Sequence, residues 1–430
     1  MITTLKEKYN RDMNGDVLIV DPPWDIHDAK KNGVRASSRW PHEYPPNRIQ
    51  SCIPFFMGYA CSYLKANGIN AHMTTYAPPR VPYRTFLENI VKRRYRIILV
   101  ETSSPTIGSD LDFCKDLKAN MDCLIGFVGG YASANAEACI ANEAVDVVLK
   151  GEYEQNALEF AKTGECRIYD YNITRDINEL PFVERNDILF QDILCNNGTF
   201  RARHKKQYQM WGSRGCPFKC SFCMYPPVMY NRAPYRPRTA ENIAAELDRL
   251  IRINGNNQFH IWFDDDTFNI GEQRMIAIAD VFKQRNIEYA AMCRADTIRN
   301  FDVLKYMAEC GFMGCAIGVE SGCQELVDGC NKDLDLNDVV RFRNWCKELN
   351  IFIHMTFTLG LQGETQDTIK RTQDFIRTVR PESHQVSGCA PVQGTSYHDY
   401  LKDKGIINDA TKLDGSVILN LEDLNGTIQQ

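Results

Sequence analysis

Short apolar runs alternate with longer amphipathic stretches through most of the chain. The first run, Val17-Leu18-Ile19-Val20, is halted by Asp21-Pro22-Pro23-Trp24 and predicts a buried strand. Residues 25–53 are polar, Pro- and Arg-rich and weakly periodic, so they predict a long loop with a binding or interdomain role. Helical spacing then marks residues 55–67, 83–93, 110–118, 136–142 and 153–162. Apolar runs at 69–74, 96–100, 123–128 and 145–149 predict the intervening strands. Strand and helix in turn imply a Rossmann-like, doubly wound parallel sheet over residues 16–165, behind a polar tail at 1–15.

Periodicity fades over residues 166–204, which reads as a linker and contains Leu180-Pro181-Phe182. It returns over residues 205–405. Strands are predicted at 209–212, 259–263, 289–293, 315–319, 352–359 and 384–388, and helices at 240–253, 272–285, 301–310, 336–349 and 365–378. A closed (β/α) barrel needs eight strands. Six strands and five helices predict an open, partial (β/α)6 barrel of the TIM type, followed by a short polar extension at 406–430.

Ligands of such sheets lie beyond the carboxyl ends of the strands. In the first domain those loops carry Pro22, Thr102, Ser103, Gly129, Gly130 and Tyr131. Glycine permits close backbone approach and hydroxyls offer hydrogen bonds. None of these loops has dinucleotide or P-loop spacing, so a ligand other than a nucleotide, or none, is implied. In the barrel, the strand ends carry Asp264-Asp265-Asp266, Arg294, Glu320-Ser321-Gly322 and Gly360-Leu361-Gln362-Gly363. Their convergence would make one active face. A solvated turn capping the next helix, and a Mg²⁺ site, are the lesser alternatives for the three aspartates.

Composition adds bounds. The 430 residues are 44% hydrophobic and 24% charged, with a formal net charge of -5, which gives no electrostatic case for nucleic acid or an anionic membrane as partner. No apolar stretch has transmembrane length and no signal peptide is evident at the start, so a cytoplasmic setting is expected. The 17 cysteines are scattered, which suits a reducing compartment better than a disulfide scaffold.

The barrel's first strand-end loop changes the picture most. Cys216, Cys220 and Cys223 are spaced C-x3-C-x2-C, led by Gly212 and Gly215. Three thiolates can hold three corners of a cubane iron–sulfur cluster and leave one iron open to a small molecule. A zinc site lacking a fourth protein ligand and three unrelated buried cysteines are the alternatives.

This motif, with Phe222 before its last cysteine, resembles that of the radical S-adenosylmethionine (radical SAM) superfamily. The resemblance implies a [4Fe-4S] cluster on Cys216, Cys220 and Cys223 whose open iron chelates S-adenosylmethionine (SAM). Reductive cleavage of SAM, fed by an external flavodoxin- or ferredoxin-type donor, then gives a 5′-deoxyadenosyl radical that abstracts hydrogen from an unactivated carbon. It further implies SAM contacts from Phe222, from Asp264, Asp265 and Asp266 to the amino group, from Arg294 to the carboxylate, from Glu320 to the ribose region, and from Leu359, Gly360 and Leu361 beside adenine.

The chain also resembles the subgroup with an N-terminal cobalamin-binding domain. Asp21-Pro22-Pro23, Glu101-Thr102-Ser103-Ser104-Pro105-Thr106, Gly129-Gly130 and Gly151-Glu152 carry that likeness. The resemblance implies cobalamin as a further cofactor and C-methylation of a small natural-product or metabolite substrate, by way of cobalt. One departure stands out: the usual Asp-x-His-x-x-Gly motif survives only as Asp25-Ile26-His27, with Lys30 at the glycine position. A non-methylating dehydratase, mutase or cyclase with an empty first domain, and a non-enzymatic metal-binding module, are the competing readings.

Overall fold

The computed structural model describes residues 16–28, 31–34, 42–44, 53–76, 82–185 and 206–407. The expected tail at 1–15, most of the extension after 405, much of the 25–53 loop with Lys30, and residues 186–205 lie outside the described residues. The chain divides into two compact units. One runs to Ile193 and takes in Pro227–Ala233, and the other is made chiefly of Leu194–Pro226 and Pro234–Lys412.

In the first unit, β1 (Val17–Asp21) is followed by a small antiparallel pair, β2 (Asn32–Val34) and β3 (His42–Tyr44). Then come α1 (Phe55–Ala66), β4 (Ala71–Thr75), α2 (Tyr83–Arg93), β5 (Ile97–Glu101), α3 (Ile107–Asn120) and β6 (Leu124–Val128). Two short helices, α4 (Gly130–Ala134) and α5 (Ala136–Ile140), precede β7 (Val147–Leu149), α6 (Glu154–Thr163) and β8 (Ile168–Tyr169). The six-stranded sheet is parallel throughout, in the order β4-β1-β5-β6-β7-β8. This is the flavodoxin-like order, and its direction reverses between β1 and β5. Strands β1, β5 and β6 are apolar and buried along almost their whole length, as a sheet covered on both faces requires.

The stretch read as a linker from residue 166 departs from that reading at its start. Ile168–Tyr169 pairs with Val148 and Leu149 and extends the sheet. Further on, the Phe182 carbonyl accepts from Ser62 Oγ and the Glu184 amide donates to the Gly58 carbonyl, so this segment packs on α1.

The second unit opens with β9 (Lys206–Met210) and a two-residue antiparallel ladder, β10 (Ser213–Arg214) with β11 (Arg236–Pro237). Next come α7 (Ala240–Asn254), β12 (Phe259–Phe263), α8 (Glu272–Arg285), β13 (Glu288–Cys293), α9 (Phe301–Glu309), β14 (Phe312–Glu320) and α10 (Gln324–Gly329). The unit closes with α11 (Leu336–Glu348), β15 (Phe352–Leu359), α12 (Gln366–Val379), β16 (Ser383–Gly388) and α13 (Ser396–Asp403). Its six strands are parallel and neighbour one another in chain order, β9 to β16, as a half barrel.

Period-two alternation sorts this sheet's faces. Phe259, Ile261 and Phe263 join the core shared with the helices, as do Cys315, Ile317, Val319, Ile353, Met355 and Phe357. Alternate positions, among them Gln207, Gln209, His260, Trp262, Gly318, Thr356 and Thr358, therefore face the opposite side, the barrel interior. Each apolar side chain fully buried here contributes about 1.5–3 kcal/mol. Local signals start the helices: Thr239, Asn300, Asp335 and Thr365 accept backbone N–H bonds at the N-termini of α7, α9, α11 and α12.

Candidate active site

The cysteine loop leaves β9 and is fixed at several points. Gly212 N and Ser213 Oγ donate to the Asp265 carboxylate, and Gly215 N donates to Asp266 Oδ2 at 3.1 Å. Cys216 Sγ lies 3.3 Å from Thr267 Oγ1. Ser221 N donates to the Cys330 carbonyl at 2.8 Å, and the Ser221 carbonyl accepts from Tyr397 N at 3.0 Å. The strand-end segment 264–267, Cys330 at the end of α10 and Tyr397 in α13 thus converge on the segment from Gly212 to Cys223.

The alternative of a solvated turn at the aspartates is not what folds. Asp264 and Asp265 are buried, and the next helix starts only at Glu272. Asp265 serves the loop's backbone, and burial, only partly offset by Ser213, Arg274 and Gly212, pushes its carboxyl up to about 7. Asp264 accepts from Trp262 Nε1 at 3.2 Å.

Cys216, Cys220 and Cys223 are half-buried, whereas every other described cysteine except Cys166 is buried. Burial pushes the Cys216 and Cys223 thiols up, and the neighbouring Asp266 and motif thiols add to it. Bound cationic iron would reverse that balance. Among the described residues, no three His, Cys, Asp or Glu side chains converge as ligands of one ion. A cubane takes each thiolate at a separate corner, so this donor set fits a cluster better than a mononuclear zinc site.

Glu320 ends β14 with φ 70° at a register shift in the β14–β15 pairing. Its carboxylate turns back over Gly318: Oε1 accepts from Lys332 Nζ at 2.8 Å and Oε2 from Thr358 Oγ1 at 2.6 Å. A Cβ at Gly318 would fall 2.5 Å from Glu320 Oε1 and 3.1 Å from Lys332 Nζ, so the ion pair occupies the space that glycine leaves. Burial disfavours the Lys332 charge, but Glu320, and Cys220 after it, hold its pKa above the usual lysine range. Nothing in the sequence singled out Lys332 or Thr358, which are 12 and 38 positions from Glu320.

Of the remaining predicted contacts, Phe222 is half-buried beside Cys223. The backbone of Leu359–Leu361 is largely engaged: Cys389 N donates to the Leu359 carbonyl at 2.7 Å, Tyr397 Oη donates to the Gly360 carbonyl, and Gly360 N donates to Glu364. Arg294 reaches Asp296 through two bonds, at 2.9 and 2.8 Å, and the Asp333 carbonyl at 2.9 Å.

In the first unit, the loops after β1 and β5 flank the point where the strand order reverses, which is where such sheets take ligands. Pro22, Pro23, Thr102, Ser103, Gly130, Gly151 and Glu152 are buried, and Ser104 and Tyr131 are half-buried. Thr102 Oγ1 donates to the Val128 carbonyl, and the Ser103 and Thr106 hydroxyls bond each other. A Cβ at Gly129 would meet Glu101 Oε1 at 2.6 Å, and one at Gly151 the Tyr171 ring at 2.5 Å. Internal packing therefore accounts for these two glycines and for most of the hydroxyls. The topology fits a bound cofactor, with Ser104 and Tyr131 as the half-exposed predicted residues. His27 is exposed, its Nε2 3.0 Å from Asp112 Oδ2.

Residues 212–376 match the sequence profile of the radical SAM superfamily. Residues 212–376 are accordingly a radical SAM domain, whose cofactors are a [4Fe-4S] cluster and SAM. Its two-unit α/β fold is shared with cobalamin-dependent members. The radical SAM methyltransferase TsrM from Kitasatospora setae, solved with tryptophan substrate and a SAM analogue, superposes with a TM-score of 0.68 over 92% of this chain and 77% of that one, at 14% identity. OxsB, a cobalamin-dependent SAM radical enzyme solved with aqua-cobalamin and SAM, gives 0.64 over 84% of this chain and 52% of its own, at 18% identity. By sequence, the chain is 21% identical over 384 residues to the anaerobic magnesium-protoporphyrin IX monomethyl ester cyclase of Cereibacter sphaeroides, covering 84% of this chain and 62% of the relative's length. No helix among the described residues is long and apolar enough to cross a membrane.

Proposed function

We propose that the chain is a cobalamin-dependent radical SAM C-methyltransferase acting on a small natural-product or metabolite substrate. The observation that carries this reading is the flavodoxin-like first sheet, with its strand-order reversal between β1 and β5, in one chain with the radical SAM half barrel. When bound, cobalamin supplies a methyl group held on cobalt, and the cluster supplies the electron that cleaves SAM. The chain's own part is to fix the cysteine loop through Asp265, Asp266 and Thr267, and to present the Glu320–Lys332–Thr358 group at the barrel mouth. Phe222, Asp264 and the Leu359–Leu361 backbone remain proposed SAM contacts. The electron is proposed to come from an external flavodoxin- or ferredoxin-type donor.

A second reading, a cyclase, dehydratase or mutase that does not methylate, is favoured by the inward-turned hydroxyls at Thr102 and Ser103 and by the cyclase relative. Anaerobic reconstitution with iron, sulfide and cobalamin separates the two. Methylation predicts bound cobalamin and the formation of S-adenosylhomocysteine together with 5′-deoxyadenosine. Protein that stays free of cobalamin while forming 5′-deoxyadenosine alone during substrate turnover would refute the methyltransferase.

A further inference from the structure

Arg294 does something in this fold that its place at a strand end does not suggest. Its guanidinium carbon lies 3.5 Å from the centroid of the Phe218 ring. Phe218 belongs to the span between Cys216 and Cys220. A cation stacked this closely on an aromatic face is attracted by the ring quadrupole, and the planar guanidinium suits that stack better than an ammonium does.

The rest of Arg294 is built to hold that plane still. Its main chain is bracketed by Asn269: the Arg294 amide donates to Asn269 Oδ1 at 2.9 Å, and Asn269 Nδ2 donates to the Arg294 carbonyl at 2.8 Å. Its side chain is 5% exposed. Nε and Nη2 grip the two carboxylate oxygens of Asp296, and Nη2 also reaches the Asp333 carbonyl. A two-point grip on a carboxylate fixes the orientation of the guanidinium as well as its position. Most of its donors are thereby engaged inside the protein.

We propose that Arg294 is a positioning residue for the cluster loop: Asp296 and Asp333 aim it, and it clamps the Cys216–Cys220 span through Phe218. The other fastenings of the loop lie at Gly215 and Cys216 on one side and at Ser221 on the other. The Phe218 stack holds the span between them, where two of the three cluster thiols must stay in register. This replaces the expected role of Arg294 as the partner of the SAM carboxylate.

The loop contains its own reporter. Lys219 is exposed and follows Phe218 directly, so trypsin cleavage at Lys219 in metal-free protein reads out how firmly the span is held. Phe218→Leu keeps apolar bulk but removes the ring face, Arg294→Lys keeps charge but removes the planar fork, and Asp296→Asn loosens the aim. Each should speed cleavage at Lys219 by roughly 2- to 30-fold, the range a cation–π contact of this kind supports. The Phe218→Leu/Arg294→Lys double variant should be no faster than the quicker single one, because both remove one contact. In reconstituted protein the same variants should lose iron to a chelator faster, while SAM affinity changes equally in Phe218→Leu and Arg294→Lys. Unchanged cleavage in both Phe218→Leu and Arg294→Lys would overturn the proposal. So would a loss of SAM affinity confined to Arg294→Lys with cleavage unaltered, which would return Arg294 to the carboxylate. Phe218→Leu leaves the buried core untouched and serves as the decisive variant if the Arg294 variants fail to fold.

Discussion

Replacing Lys332 by Met tests whether the ion pair behind the cysteine loop carries the energy its burial implies. Its side chain is 7% exposed and that of Glu320 is 9% exposed, so solvent screens the pair little. The substitution leaves the Glu320 carboxylate with the hydrogen bond from Thr358 Oγ1 in a site built around an ammonium. Removing one member of a buried pair typically costs about 3–5 kcal/mol, because the other charge stays desolvated and uncompensated. For a unit of this size that is a fall in Tm of roughly 6–20 °C. Glu320→Gln alone should also destabilise, since it strands the lysine. The double variant Lys332→Met/Glu320→Gln should recover most of the loss, as no buried charge is left unpaired. Thermal and denaturant unfolding of the four proteins, followed by circular dichroism, closes the cycle. A Lys332→Met protein within about 2 °C of the parent, or single effects that simply add in the double variant, would refute the reasoning, because loss of a real buried pair shifts Tm far more than that.

The remaining predictions concern the loop and its acid. Burial raises the Asp265 carboxyl from the ordinary carboxylate range to about 7, so the folded state keeps a proton that the unfolded chain releases at about pH 4. Stability from this group is therefore greatest below pH 4, declines between about pH 4 and 7, and is level above. The full difference is about 4 kcal/mol. Asp265→Asn should flatten that decline, and parallel pH profiles for the two proteins would count against it. Cys220→Ala should abolish cluster assembly with the fold retained. Iron and sulfide content with far-ultraviolet circular dichroism checks this, and a cluster that survives would place the centre elsewhere.

Much of the fold was legible because its strands are compact apolar blocks. Phe259–Phe263, Phe352–Leu359 and Glu272–Arg285 form where hydropathy marked them. The first barrel strand illustrates the opposite case. It was expected at 209–212 but runs over Lys206–Met210, because its interior-facing residues are Gln207 and Gln209, and polar positions in a half-polar lumen leave no apolar run to read. Ile168–Tyr169, Ser213–Arg214 and the short helices Gly130–Ala134 and Gln324–Gly329 escaped notice because two to six residues are too few to set a period.

The site divides along the same physical line. Cys216, Cys220 and Cys223 are a local spacing, and the chemistry of three close thiols follows from that spacing alone. What fixes their loop is non-local. Asp265 is 53 positions from Gly212 and Thr267 is 51 from Cys216, and the arginine that stacks on Phe218 comes from another strand end. Sequence could place Asp265 and Arg294 at the active face but could not tell an atom that meets a ligand from one that meets the protein. The carboxylate of Asp265 and the fork of Arg294 both turn out to be engaged within the chain. The polar residues at these strand ends thus work largely on one another. They hold three thiols in place at a barrel mouth whose interior strands carry glycine, glutamine and threonine, which leaves the cluster and its SAM to perform the difficult chemistry.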